Sequence, residues 1–80
     1  MECILAVFRS RAQALDCASR LRKLGICADI VSTPREANVG CGLSLRLRAG
    51  DVRARECVRR AGYSAFVGFF RTDGRGTWRI

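Results

Sequence analysis

Apolar and polar positions follow several distinct rhythms along this chain, and each predicts an element. "ECILAVF", residues 2–8, is a nearly unbroken apolar run, the pattern of a central strand buried on both faces. "SRAQ" then opens a helix, with Ser10 placed to cap it and Gln13, three residues on, completing a capping box. Leu15, Ala18, Leu21 and Leu24 follow at helical spacing, Arg20, Arg22 and Lys23 stand outside them, and Gly25 ends the helix. "ICADIVS", residues 26–32, reads as a second strand. After the breaker-rich "TPREANVGCG" comes "LSLRLR", residues 43–48, a strict alternation that puts Leu43, Leu45 and Leu47 on one face. Asp51 caps a second helix whose apolar side is Ala54, Val58 and Ala61, with Cys57 beside them and Gly62 at its end. "SAFVGFF", residues 64–70, is a fourth strand. "TDGRGTWRI", residues 72–80, is a Gly-rich tail with Trp78 as a late anchor.

The order strand, helix, strand, strand, helix, strand predicts an α+β fold, a ferredoxin-like βαββαβ two-layer sandwich. Its antiparallel four-stranded sheet would carry two helices on one face. Residues 1–71 would form the single domain and 72–80 the C-terminal tail. With the first and third strands central, the uncovered face would carry Ser44, Arg46 and Arg48. It would also carry apolar side chains from the first and fourth strands, which are apolar at both parities. An exposed patch of that kind calls for a cover. The pattern therefore predicts either a homodimer through the open sheet face or a covering segment around Trp78.

Composition narrows the picture. Eighty residues make one small domain, able to bury only about 60% of the surface of its unfolded chain. An apolar fraction of 49% fits a globular protein and not a disordered one. "MECILAVFRS" lacks the pattern of a signal peptide, and no run approaches the ~18 apolar residues of a membrane span, so a cytoplasmic location is expected. The net charge of +8 points to anionic partners, although 14 of the 15 basic residues are arginine, a skew that genomic base composition also produces. Sequence-specific RNA binding on the sheet is disfavoured, because "LSLRLR" has no aromatic residue and the first strand offers only Phe8. Non-specific contact with nucleic acid stays open.

The chain has five cysteines, no C-x-x-C and no histidine. That pattern disfavours a structural zinc site and rules out a Cys–His nucleophile pair, so no metal and no other cofactor are expected. Cys3, Cys17 and Cys57 read as small apolar residues, and Cys27 has no distinguishing neighbours. Cys41 differs in standing between Gly40 and Gly42. The residues leave two readings evenly matched: a small side chain in a tight loop, or an accessible reactive thiol. For the second, the glycines permit close approach and an anion-binding nest of N–H groups. Arg35 in the loop and Arg46 in the strand leaving it add positive charge that would favour the thiolate. With no general base, such a thiolate suits thiol exchange or persulfide chemistry better than hydrolysis. Glu36 reads as part of a solvated turn.

Pro34-Arg35, a few variable residues, Gly40-Cys41-Gly42 and then an alternating strand resemble the signature of a small bacterial family, the selenium/sulfur (Se/S) carrier protein-like proteins. The likeness covers roughly the first 70 residues. It implies a protein that carries sulfur or selenium on Cys41, with Pro34, Arg35, Gly40, Gly42 and Arg46 shaping the loop and supporting the anion. On this reading the chain is not an enzyme with turnover of its own. It would be loaded by a cysteine desulfurase-like or selenium donor protein and unloaded by an acceptor protein. The alternative is a basic module that binds an anionic molecule or nucleic acid, in which Cys41 is a sensor or a structural loop residue.

Overall fold

The alternation of Leu43, Leu45 and Leu47 becomes the strand that joins both layers of the molecule. The computed structural model describes residues 3–34, 42–73 and 75–80. Its elements are β1 (Cys3–Phe8), α1 (Arg11–Lys23), β2 (Asp29–Ser32), β3 (Leu43–Arg48), α2 (Val52–Ala61), β4 (Phe66–Asp73) and β5 (Gly76–Arg79). Both helix starts are capped as their sequences demand. Ser10 Oγ accepts from the Gln13 N–H at 3.2 Å, and an Asp51 carboxylate oxygen accepts from the Ala54 N–H at 3.1 Å. At the far end of α2, Gly62 takes the left-handed conformation (φ +65°) that side-chain-bearing residues avoid.

The five strands form one antiparallel sheet in the order β2-β3-β1-β4-β5. Directly opposed residues in such ladders point to the same face, so the register sorts the side chains. Ile4, Ala6 and Phe8 oppose Leu47, Leu45 and Leu43, and this face takes both helices. Ala14, Cys17, Ala18 and Leu21 of α1 and Ala54 and Val58 of α2 complete the main core there. Phe8 is its hub, with its ring 5.6 Å from Tyr63 and 5.4 Å from Phe66 between centroids. On the other face Leu5, Val7 and Phe70 form a second, smaller cluster with Val31 and Val67 packed against it.

Several expectations change. The sheet has five strands and is not a clean four-stranded ferredoxin-like layout, because residues 72–80 hold the end of β4 and all of β5. The second strand is shorter than "ICADIVS", although Ile26 and Ala28 ahead of it are buried. The capping box is half formed: the Gln13 side chain turns away from Ser10, donating to Ser64 Oγ (2.9 Å) and accepting from the Ala65 N–H (2.8 Å). It thereby ties the start of α1 to the entry of β4. The buried stripe of α1 also differs from the expected one, with Leu15 and Leu24 49% and 48% exposed. Residues three apart in a helix drift about 60° per step, so a 15-18-21-24 series sweeps half the circumference and cannot face the core at both ends.

The helix-free face corrects a further expectation. Leu5 and Val7 are 4% and 0% exposed and Phe70 is buried, so this apolar cluster is shielded within the chain itself. Trp78 does not lie over it. Trp78 opposes Arg71, which opposes Ile4, and this sets Trp78 on the helix side of the sheet. Arg79 is the β5 residue on the helix-free face, where its guanidinium donates to the Val67 carbonyl at 3.0 Å and lies against Gly68.

Candidate functional site

Of the candidate residues, Arg35, Gly40 and Cys41 lie outside the described residues, as does Glu36. Pro34, Gly42 and Arg46 lie within them and show how the ends of the motif are held. The β2–β3 ladder continues one step past its last strand pair, with the Thr33 N–H donating to the Gly42 carbonyl at 3.4 Å. Beside it the Thr33 and Ser44 hydroxyls share a hydrogen bond of 2.8 Å. Ser44 is fully buried in the middle of the sheet, so this bond satisfies a hydroxyl that burial would otherwise penalise. Residues 34–41 thus connect two points of the sheet that are hydrogen-bonded to each other.

Gly42 is a glycine for a reason outside its own loop. A Cβ built there collides with the backbone carbonyl oxygen of Phe8 and comes within 3.4 Å of Thr33 Oγ1. Phe8 cannot give way cheaply, because its ring is locked among Tyr63 and Phe66 in the main core. The second glycine of the Gly-Cys-Gly motif therefore seats the chain directly against the end of β1. Core packing of the aromatic residues thereby fixes where the residue after Cys41 sits.

Arg46 does something other than expected. It pairs with Asp29 across the β2–β3 ladder, with Nη2 to Oδ2 at 2.9 Å, and that carboxylate raises the affinity of the guanidinium for its proton. It stands four residues beyond Gly42 on an extended strand, about 13 Å away at ~3.3 Å per residue, so the described structure does not gather it at the motif end of the sheet. Sequence reading named Arg46 but missed Asp29. The signal was available in principle, since a hairpin pairing Thr33 with Gly42 also pairs Asp29 with Arg46.

The other thiols divide by environment. Cys17, 1% exposed in the main core, is pushed up to about 11, chiefly by burial and then by Cys57, so it is protonated at neutral pH. Cys57 and Cys3 are half-buried and Cys27 is exposed. Among the described residues no group of three or more His, Cys, Asp or Glu side chains is placed to hold a metal ion. No helix among them is long and apolar enough to cross a membrane.

Comparison with known proteins points to the same family. The searches of curated proteins and of solved structures each gave no match. A family model described as "Putative Se/S carrier protein-like" matches residues 3–64, about three quarters of the chain. The matched span runs from β1 through α2, encloses Gly40-Cys41-Gly42 and ends just before β4. The chain belongs to the Se/S carrier protein-like family.

Proposed function

We propose that this protein carries sulfur or selenium on Cys41. The observation that carries this reading is membership of the family over a span that includes the glycine-flanked cysteine. The clash that a side chain at Gly42 would make with the Phe8 carbonyl supports it, because it ties the motif to the rigid end of the sheet. In the loading step the Cys41 thiolate attacks the terminal sulfur of a donor persulfide. The donor S–S bond breaks, the donor leaves as a thiolate, and Cys41 holds the persulfide. An acceptor nucleophile then attacks the same terminal sulfur and releases the Cys41 thiolate. A cysteine desulfurase-like protein or a selenium donor would fill the first role and an acceptor protein the second, both in the cytoplasm. The chain acts as a substrate of both and has no turnover of its own. Arg35 and Pro34 would shape the loop and stabilise the anion.

Intact-mass measurement after incubation with a cysteine desulfurase and cysteine tests this directly. Wild type gains one sulfur and Cys41→Ser gains none at that position. Equal loading of the two, or loading of neither, overturns the reading. The net charge of +8 supports a second reading, an electrostatic module for anionic partners. Such binding would weaken steeply with salt, whereas sulfur loading would not.

A further inference from the structure

At the end of the sheet away from the motif, the helix-free face holds a hollow of about 930 Å³. It is lined by Cys3, Cys27, Asp29, Arg46 and Arg48, together with Leu47 and Ala49. Register explains the grouping. Cys3 opposes Arg48 in the β1–β3 ladder, and carrying the β2–β3 register two residues past Asp29 sets Cys27 opposite Arg48 on its other side. Arg48 therefore sits on the strand between the two cysteines, and all three line the hollow. The charges in the hollow are unequal. Arg46 is taken by Asp29, whereas the exposed Arg48 guanidinium has no ion pair or hydrogen bond among the described residues. Among the described residues that leaves one unpaired positive charge, on Arg48, lining the hollow. Of the two thiols, Cys27 is exposed and Cys3 half-buried.

We propose that this hollow is a thiol-exchange site for small carboxylated disulfides, in which Arg48 holds the carboxylate and Cys27 is the thiol that reacts. Cys27 loses its proton to solvent and its thiolate attacks one sulfur of the incoming disulfide. That S–S bond breaks, a new one joins Cys27 to the attacked sulfur, and the other half leaves as a thiolate that takes up a proton. The oxidising equivalents of the small disulfide end in the mixed disulfide. Cys3 cannot resolve it. The two cysteines flank β3 at about two strand spacings, ~10 Å, whereas a disulfide needs Cα atoms within about 4.4–6.8 Å. The adduct on Cys27 therefore persists until an external thiol removes it. The site does not depend on the carrier reading of Cys41.

The test is carried out on the Cys41→Ser chain, so that a failure of the carrier reading does not enter it. Oxidised glutathione and cystamine, a cationic disulfide, are compared by intact mass and peptide mapping over time. With glutathione the first adduct is expected at Cys27, with no internal Cys3–Cys27 disulfide, and Cys27→Ser abolishes it. Arg48→Gln is expected to slow that reaction about two- to fivefold, the worth of one exposed ion pair, and not to slow cystamine. Circular dichroism confirms that both exposed-site variants fold. A first adduct at Cys3 or Cys57, an internal disulfide, or equal slowing of both disulfides by Arg48→Gln overturns the proposal.

Discussion

The same strands build both faces of the sheet, yet the faces exclude water by different means. On the helix side Phe8, Leu45 and Leu47 are capped by two helices whose contribution is mostly small side chains, Ala14, Cys17, Ala18 and Ala54. Those residues let the helices approach closely, and the large residues come from the sheet. On the other side Leu5, Val7 and Phe70 have no helix above them. They are bordered by polar and charged pairs: Thr33 with Ser44, Asp29 with Arg46, and Arg79 against the Val67 carbonyl. One face is packed under two helices, whereas the other keeps a smaller cluster that, among the described residues, has hydrogen-bonded and charged pairs beside it. A small domain can therefore bury a two-sided central strand with helices on one face only, where the other face keeps its cluster small.

This contrast can be tested in order of effect. The largest loss is expected on the packed face: Phe8→Ala removes the hub of the aromatic cluster and should cost about 3–5 kcal/mol by denaturant titration. Leu5→Ala, its neighbour facing the other way, should cost only about 2–3 kcal/mol, and equal costs would break the distinction between the faces. Next comes a pH effect confined to the packed face. Because burial holds Cys17 up at about 11 against an ordinary 9.0, the folded state resists ionising it. Its stabilising contribution is complete below pH 9 and is lost as pH climbs through 11, by an amount on the order of 2 kcal/mol. Cys17→Ala should flatten that part of the pH–stability curve. At the seam between the faces, Gly42→Ala should cost about 1–3 kcal/mol, because the added methyl must displace the Phe8 carbonyl. Smallest of all, Asp29→Asn should change stability by less than about 1 kcal/mol, with the difference fading at high salt, since both partners are exposed.

Local signals were legible in the sequence wherever the structure decides locally. Ser10 and Asp51 cap as read, Gly62 ends α2, and the leucines of "LSLRLR" share one face. What failed to show was set by distant partners. Leu15 and Leu24 look like core residues beside Ala14 and Cys17, until the sheet demands small side chains under the helix. "GTWR" is too short to announce a strand. It becomes one only because β4 runs on through Asp73 and offers an edge, and that pairing decides that Arg79, not Trp78, faces the second cluster. At the site, the Gly-Cys-Gly motif was readable as a pattern and carried the family with it. The reason Gly42 must be glycine lies 34 residues earlier, in the carbonyl of Phe8, and no local window contains it.

The position of β1 has a consequence for the birth of the molecule. It precedes the other described elements in chain order and is buried on both faces, but both its neighbours, β3 and β4, come later in the chain. Ile4 to Phe8 can pack against α1 early, but it has no strand partner before Leu43–Arg48 and is hydrogen-bonded on both edges only once Phe66–Thr72 follow. Pairing of such high sequence separation folds slowly and leaves an edge open to other chains. Until β3 and β4 have joined it, β1 therefore offers apolar side chains and unpaired edges to other chains, and any variant that delays that pairing is expected to aggregate more.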